Sequence, residues 1–192
     1  MKENNLQKKP NSAREYANLF LLDENGKKKD SSNVNSVCLI TIGYAETTWI
    51  LLEEFAGKDI TIIDRKSEID FIETLIKIHK RNDIRIERIE VETDEAVYDT
   101  ILKLNMNMFD LIIANLPYGD DNKGTLPRKI IKAAKKCAKE SVWLMPTTHF
   151  QYDNLFKEIA SSKRFSKIES QNIFEGASCS PLSIVRFDDK KH

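Results

Sequence analysis

The chain alternates between short apolar runs and segments whose apolar residues recur every three or four positions. Runs rich in β-branched residues are typical of strands buried on both faces of a parallel sheet. Apolar residues at three- and four-residue spacing are typical of amphipathic helices. The runs predict five strands, at residues 37–42, 60–63, 84–91, 109–114 and 142–145.

Helices are predicted before, between and after these strands, and two further runs close the chain. Strands that alternate with helices imply a parallel sheet with right-handed crossovers. The runs at 165–174 and 182–187 have no helix between them, so they predict an antiparallel C-terminal hairpin. The predicted fold class is therefore α/β, a three-layer sandwich whose mostly parallel sheet has about seven strands. The helices are predicted at 13–22, 49–55, 69–79, 96–104, 126–140 and 152–161.

Length and polarity indicate one domain preceded by a polar segment. Residues 1–36 are predicted to form a tail, a short helix and a loop, and residues 37–192 the folded domain. The mean hydropathy is −0.45, and every apolar stretch is far shorter than the ~18 residues of a membrane span. A cytoplasmic location without membrane contact is expected.

Charge and cysteine content narrow the range of partners. Thirty basic residues balance thirty acidic ones, so any binding of a polyanion must come from a local patch. Cys38, Cys137 and Cys179 are odd in number and widely spaced, so no disulfide framework is predicted, and Cys38 and Cys137 are predicted to be reduced core thiols. The three histidines have no metal-ligand spacing, and no metal site is predicted.

Candidate chemistry lies just after the predicted strands. In parallel α/β sheets, ligands bind beyond the carboxyl ends of the strands. Gly43, Asp64, the segment 92–94, Asn115 and Pro146 follow five successive strands. We therefore expect these residues to lie along one ligand-binding edge, although a carboxylate such as Asp64 could equally be a solvated turn residue.

The turn Asn115-Leu116-Pro117-Tyr118-Gly119 follows the fourth strand directly. The Asn115 side-chain carbonyl and the next backbone carbonyl are two acceptors on a turn stiffened by proline. Together they could grip both N–H groups of a planar amine, while the Tyr118 ring offers a surface for base stacking worth about 1–3 kcal/mol. The alternative is a tight turn with a structural tyrosine.

The stretch DLIIANLPYG at residues 110–119 resembles motif IV of the class I S-adenosylmethionine-dependent adenine N6-methyltransferases, commonly Asn-Pro-Pro-Tyr. The Asn-Leu-Pro-Tyr variant is typical of ribosomal RNA adenine dimethyltransferases. Residues 119–150 are more similar to DNA adenine methyltransferases of the restriction-modification and phage type, and residues 172–187 to their last hairpin. The resemblance spans roughly residues 37–187 and implies a Rossmann-like sheet and S-adenosylmethionine as cofactor.

The resemblance implies a role for each residue of the turn. Asn115 and the Leu116 carbonyl would hold the target amine, Pro117 would fix the turn, and Tyr118 would stack on the extruded adenine. Catalysis would rest on alignment of a neutral amine rather than on a titrating base.

The resemblance also implies a cofactor site. Its residues are Gly43, Ala45, Asp64, Arg65 and Asp94, with Asp64 accepting from the ribose hydroxyls and Asp94 from the cofactor's adenine amine. The chain departs most from the family's pattern in the glycine-rich loop that follows the first strand. Only Gly43 of its glycines is kept, Ala45 and Thr47 replace the later ones, and Thr41 stands where an acidic residue is expected.

Contacts with nucleic acid are predicted at three places. Lys123 follows motif IV, and Phe174 is predicted to face the flipped base or, alternatively, to be a core aromatic. The helix at 126–140 has a basic face that could meet phosphates or could simply be solvated. No segment is long enough to be a target-recognition region, so a partner subunit could supply one. The basic face consists of Arg128, Lys129, Lys132, Lys135, Lys136 and Lys139.

The sequence leaves several functions open. The first is methyl transfer from S-adenosylmethionine to the N6 amine of adenine in DNA. The second is a non-catalytic binding subunit with this fold, which the altered glycine loop and the short chain favour. The third is an adenine N6-methyltransferase of RNA, which Leu116 favours. A dinucleotide-dependent oxidoreductase fits Asp64 but not the turn at Asn115.

Overall fold

The structure of the chain is a computed structural model that describes residues 13–23, 27–106, 108–116, 125–146, 165–168 and 182–188. Helices and strands alternate along it as the hydrophobic pattern predicts. The elements are α1 (Ala13–Phe20), β1 (Ser36–Ile40), α2 (Ala45–Glu54), β2 (Asp59–Asp64), α3 (Lys66–Ile78), β3 (Ile86–Glu90), α4 (Asp94–Lys103), β4 (Phe109–Asn115), α5 (Thr125–Ala134), β5 (Ala138–Pro146), β6 (Phe165–Ile168) and β7 (Leu182–Asp188).

The first five strands form a parallel sheet in the order β3-β2-β1-β4-β5. In its centre, Cys38 lies opposite Thr61 on one side and Ile112 on the other. The predicted α/β class with a mostly parallel sheet is confirmed. Next to β5, β7 pairs antiparallel with both β5 and β6. The predicted hairpin also includes residues 169–181, which lie outside the described residues, so it stays a prediction.

Two apolar cores lie on opposite faces of the sheet. Successive side chains of a strand point to opposite faces, so Leu39 packs toward α1, α2 and α3 while Ile40 packs toward α4 and α5. All of Val37 to Ile40 is buried, as the unbroken apolar run predicts. The chain thus forms helix, sheet and helix layers. None of the described helices is long and apolar enough to cross a membrane.

The helix predicted at 126–140 is too long, and the strand predicted at 142–145 is too short. α5 ends at Ala134, and β5 begins at Ala138. The reason is pairing with β4: the Phe109 amide donates to the Cys137 carbonyl at 2.9 Å, and Phe109 then lies opposite Ala138. Cys137 is therefore a buried free thiol in a turn and does not lie on a helix.

The first residues of β5 are mostly polar, so the hydrophobic pattern does not predict that the strand begins there. Lys139 pairs with Asp110 of β4 at 2.6 Å, and Glu140 contacts both Lys29 and Arg186. Strand propensity is more dependent on neighbours than helix propensity. Because Lys139 and Glu140 have charged partners, they can lie in a strand that the local sequence does not predict.

α1 packs against the same core as α2. Its Ala17 and Phe20 are buried, and the Arg186 guanidinium donates to the carbonyls of Phe20 at 3.0 Å and Leu22 at 2.5 Å. Arg186 is 6% exposed and also pairs with Glu140. This arginine joins α1 to the β5–β7 side of the sheet. The division of the chain at residue 36 stays a prediction.

Replacing this arginine should destabilise the fold. In Arg186→Met, Glu140 loses one of its two cations and two backbone carbonyls lose a donor, so the free energy of unfolding should fall by about 3 kcal/mol. Denaturant unfolding measures the change. Arg85→Met, at an exposed arginine, is the control and should stay within about 0.5 kcal/mol of wild type. Equal stability of both variants would contradict the role given to Arg186.

Candidate functional site

Four predicted site residues lie at one edge of the sheet. β2 ends at Asp64, β4 ends at Asn115, α4 begins at Asp94, and Gly43 follows β1. Because the strands are parallel and adjacent, their carboxyl ends share this edge. The Gly43 amide donates to Asp64 Oδ1 at 3.2 Å, which joins two of the four directly.

Gly43 lies in a tight turn between β1 and α2. The Tyr44 amide donates to the Thr41 carbonyl at 2.8 Å, which closes a four-residue turn with Gly43 in its third position. The φ of Gly43 is 78°, which a type II turn requires at this position and which favours glycine. A Cβ atom placed there would meet nothing within 4 Å. The backbone conformation, rather than space, calls for glycine.

The two later positions of the glycine loop belong to a helix. α2 begins at Ala45, so Ala45 and Thr47 both lie in its first turn. Lys80 is the one non-glycine residue with positive φ in the described part of the chain. Alanine and threonine are therefore unstrained at positions 45 and 47, and both side chains are buried. This turn needs only one glycine.

Asp64 is a fully buried carboxylate with one unused oxygen. Its Oδ1 accepts from the amides of Gly43 at 3.2 Å and Arg65 at 2.7 Å, whereas Oδ2 is buried without a partner. Burial raises the pKa of Asp64 to about 6, although the two amide hydrogen bonds oppose this shift. A hydroxyl donor that reaches Oδ2 would satisfy it.

Arg65 and Asp94 meet across the end of β3. Arg65 Nη2 is 3.7 Å from Asp94 Oδ1, and this oxygen is buried without a hydrogen bond. The Asp94 backbone is held at the start of α4, where the Thr93 side chain accepts from the Ala96 amide at 3.2 Å. Asp94 Oδ1 is thus ion-paired with Arg65 but accepts no hydrogen bond, and an N–H donor such as an adenine amine would supply one.

Asn115 and Leu116 are both buried at the end of β4, with exposures of 5% and 3%. Strand alternation places Asn115 on the face of Leu111 and Ile113, and Leu116 belongs to the core of the opposite face. The two residues therefore point to opposite sides of the sheet where β4 ends.

Four predicted site residues have no described position. Pro117, Tyr118, Lys123 and Phe174 lie outside the described residues. Their predicted roles stay predictions.

Solved methyltransferases share this architecture. No protein-family profile and no curated protein matches the chain. A putative rRNA-methylase from Clostridium thermocellum is similar at 12% identity and a TM-score of 0.56, over 95% of this chain and 96% of that one. The METTL16 methyltransferase domain is similar at 12% identity and a TM-score of 0.55, over 84% and 63% of the two chains. The PigF structure with SAH is similar at 12% identity and a TM-score of 0.52, over 83% of this chain and 52% of that one.

The fold is that of the class I methyltransferases. Such low identities show the fold alone, and several of the similar structures are about twice as long as the region they share with this chain. The predicted resemblance to class I methyltransferases is confirmed for the fold. The PigF structure contains SAH.

The methyltransferase fold separates the lysines that the sequence places on one helical face. Lys129 and Lys132 are exposed on α5, but Lys135 and Lys136 follow the end of the helix and Lys139 lies in β5. α5 leads from the carboxyl end of β4 to the amino end of β5, so its last turn is far from the predicted site. The prediction of one basic helix face is wrong, because α5 ends early.

One contact beside the candidate site was not predicted from the sequence. The hydroxyls of Thr41 and Thr48 touch each other beneath the Gly43 turn, and both residues are fully buried. A threonine seven positions after another carries no recognisable signal. The contact exists only because α2 folds back over the end of β1.

The opposite edge of the sheet holds an open cavity of about 450 Å³. It lies at the amino ends of β1 to β4, lined among others by Asp59, Thr61, Arg85 and Met108. It is thus remote from Gly43 and Asp64. In the described part of the chain, no group of three or more His, Cys, Asp or Glu side chains could hold a metal ion.

The buried Asp64 carboxylate should make stability depend on pH. Its folded-state pKa of about 6 exceeds the unfolded value of ~3.9, so folding takes up a proton between these values. The stability present below about pH 4 is lost as the pH rises through about 6. Asp64→Asn should therefore gain about 3 kcal/mol relative to wild type between pH 4 and pH 7.

Unfolding of both proteins in denaturant at several pH values measures this difference. Comparing the two proteins at each pH cancels the other carboxyl groups, which titrate in both. A difference that does not change with pH would show that Asp64 titrates normally in the folded protein.

Proposed function

We propose that this chain transfers a methyl group from S-adenosylmethionine to the exocyclic N6 amine of adenine in a nucleic acid, and that this nucleic acid is DNA. The observation that carries the proposal is the position of Asn115. It ends β4 at the same edge as the buried acceptors Asp64 and Asp94, and it begins the sequence Asn115-Leu116-Pro117-Tyr118.

The cofactor half of the site would be built from β1, β2 and α4. Asp64 Oδ2 would accept from the ribose hydroxyls, and Asp94 Oδ1 from the cofactor's adenine amine. The turn at Gly43, continued by Ala45, would let the backbone lie close to the cofactor, and Arg65 would flank the adenosine. When bound, S-adenosylmethionine supplies an electrophilic methyl group.

The substrate half would be built on the turn after β4. The Asn115 amide oxygen and the Leu116 carbonyl would accept the two N–H groups of the target amine, with Pro117 holding the turn and Tyr118 stacking on the base. This grip draws the nitrogen lone pair out of conjugation with the ring and directs it toward the methyl donor. Fixed dipoles would stabilise the positive charge that develops on nitrogen.

DNA and RNA as the substrate are each favoured by a different feature. The similarity of residues 119–150 to DNA adenine methyltransferases favours DNA, where the target base would be flipped out at a cost of a few kcal/mol. Leu116 and the rRNA-methylase among the similar structures favour RNA as the second candidate. Lys123 and Phe174 would contact the substrate in either case. A partner subunit would supply target recognition.

The proposal extends to the parts of the fold that complete the site. The sheet would have seven strands with an antiparallel hairpin at its end, and Phe174 would lie in the hairpin loop. The protein would act in the cytoplasm.

A non-catalytic subunit remains the alternative, and one observation counts against it. That alternative rests on the short chain and on the loss of glycines from the cofactor loop. Ala45 and Thr47, however, lie in the first turn of α2, where glycine is not required. The changed sequence is compatible with a working turn.

Asn115→Ala should abolish methyl transfer and leave cofactor binding intact. The variant loses one of the two acceptors for the amine but none of the residues proposed to hold the cofactor. Transfer of a labelled methyl group to adenine-containing DNA and to ribosomal RNA measures activity, and calorimetry with S-adenosylhomocysteine measures binding. Asn82→Ala, at an exposed loop asparagine, is the control and should keep full activity.

Each outcome of this experiment is decisive for one part of the proposal. Full activity of Asn115→Ala would reject the amine-binding role of Asn115. Wild-type activity on RNA alone would replace DNA by RNA. Cofactor binding without transfer to either substrate would support the non-catalytic subunit.

Gly43→Ala should weaken cofactor binding more than its loss of stability explains. A positive φ costs a non-glycine residue about 1–2 kcal/mol. Gly57 provides a matched control, because its φ is 79° and a Cβ atom there also meets nothing within 4 Å. Both variants should lose similar stability in denaturant unfolding, but only Gly43→Ala should lose affinity for S-adenosylhomocysteine, by about tenfold or more. Equal affinities would contradict the role of this turn.

A further inference from the structure

Thr41 and Thr48 form a buried pair of hydroxyls directly below the Gly43 turn. Both residues are fully buried, and their Oγ1 atoms are in hydrogen-bond contact. Thr48 Oγ1 also donates to the Tyr44 carbonyl at 3.1 Å. Buried hydroxyls that lie this close must share their hydrogens in a defined way.

One assignment of hydrogens satisfies both contacts of the Thr48 hydroxyl. A hydroxyl has one hydrogen to donate, whereas a carbonyl can only accept. With the Thr48 hydrogen on the Tyr44 carbonyl, the Thr41 hydroxyl donates to Thr48 Oγ1. The network therefore runs in one direction, from Thr41 through Thr48 to the Tyr44 carbonyl.

This network joins the end of β1 to the first turn of α2. The Tyr44 carbonyl accepts from the Thr48 amide at 3.0 Å as well as from its hydroxyl, and the Tyr44 amide donates to the Thr41 carbonyl at 2.8 Å. Tyr44 is thus fixed through both its amide and its carbonyl. Gly43 precedes it and is held with its own amide toward Asp64 Oδ1.

We propose that Thr41 and Thr48 are positioning residues for the cofactor, which hold the Gly43 turn so that Asp64 keeps Oδ2 free to bind ribose. This inference rests on the proposed function. The two hydroxyls that hold the turn, those of Thr41 and Thr48, are neutral. The turn is therefore held without a charge next to the buried Asp64 carboxylate.

Thr48→Val and Thr48→Ser separate the hydroxyl from the side-chain volume. Valine has nearly the shape of threonine but removes the hydrogen-bond partner of the Thr41 hydroxyl and the hydroxyl bond to the Tyr44 carbonyl. The Tyr44 carbonyl then accepts only from the backbone amide of residue 48. Serine keeps the hydroxyl. Thr74→Val is the matched control, because Thr74 also donates to the carbonyl four residues before it in a helix, at 2.8 Å, but lies exposed on α3.

The readouts are the affinity for S-adenosylhomocysteine and the KM and kcat of methyl transfer. Thr48→Val should weaken binding and raise the KM for S-adenosylmethionine by about tenfold, the effect of leaving one buried polar group unpaired, with kcat changed less than about twofold. Thr48→Ser should restore both within about threefold. Thr74→Val should match wild type.

The outcomes distinguish this inference from the proposed function. Wild-type protein that binds no S-adenosylhomocysteine would reject the proposed function itself. Wild-type binding with unchanged affinity in Thr48→Val would overturn the positioning role alone, as would an equal loss in Thr48→Ser. If Thr48→Val does not fold, Thr41→Val decides, because it keeps the bond from Thr48 to Tyr44. Weaker binding in Thr41→Val supports the inference, and wild-type affinity overturns it.

Discussion

The parallel pairing of β1 with both β2 and β4 is the constraint on which the candidate site depends. It brings the carboxyl ends of three strands to one edge, so that Gly43, Asp64 and Asn115 lie at this edge although 72 positions separate the first from the last. The apolar run at Val37–Ile40 makes this pairing favourable, because a strand buried on both faces needs neighbours on both edges. Stability and the geometry of the site therefore arise from the same strand.

The site keeps polar groups buried in a way that stability alone does not explain. Asp64 Oδ2 and Asp94 Oδ1 lack hydrogen-bond partners, and unpaired buried acceptors are costly. Around them, the Gly43 amide and the hydroxyls of Thr41 and Thr48 are fully engaged. Asp64 Oδ2 and the ion-paired Asp94 Oδ1 are thus two oxygens that a ligand with several donors would satisfy.

The hydrophobic pattern predicted most elements, and it failed where partners elsewhere in the chain replaced local preference. The strands β1, β2 and β4 are predicted to within two residues at either end, since continuous apolar runs carry the signal directly. β5 begins four residues earlier than predicted because Asp110, Lys29 and Arg186 pair with its charged residues. No local pattern encodes such distant partners. The error also broke up the basic face that the sequence had placed on α5.

By itself, the sequence determined the α/β class and the order of the elements in the described part of the chain, because both follow from local periodicity. Only the tertiary structure decided that Ala45 and Thr47 are unstrained, that Asp64 has one engaged and one unused oxygen, and that Thr41 meets Thr48. These facts depend on where α2 begins and how it lies over β1. Backbone angles and contacts between elements arise from packing, which local periodicity does not specify.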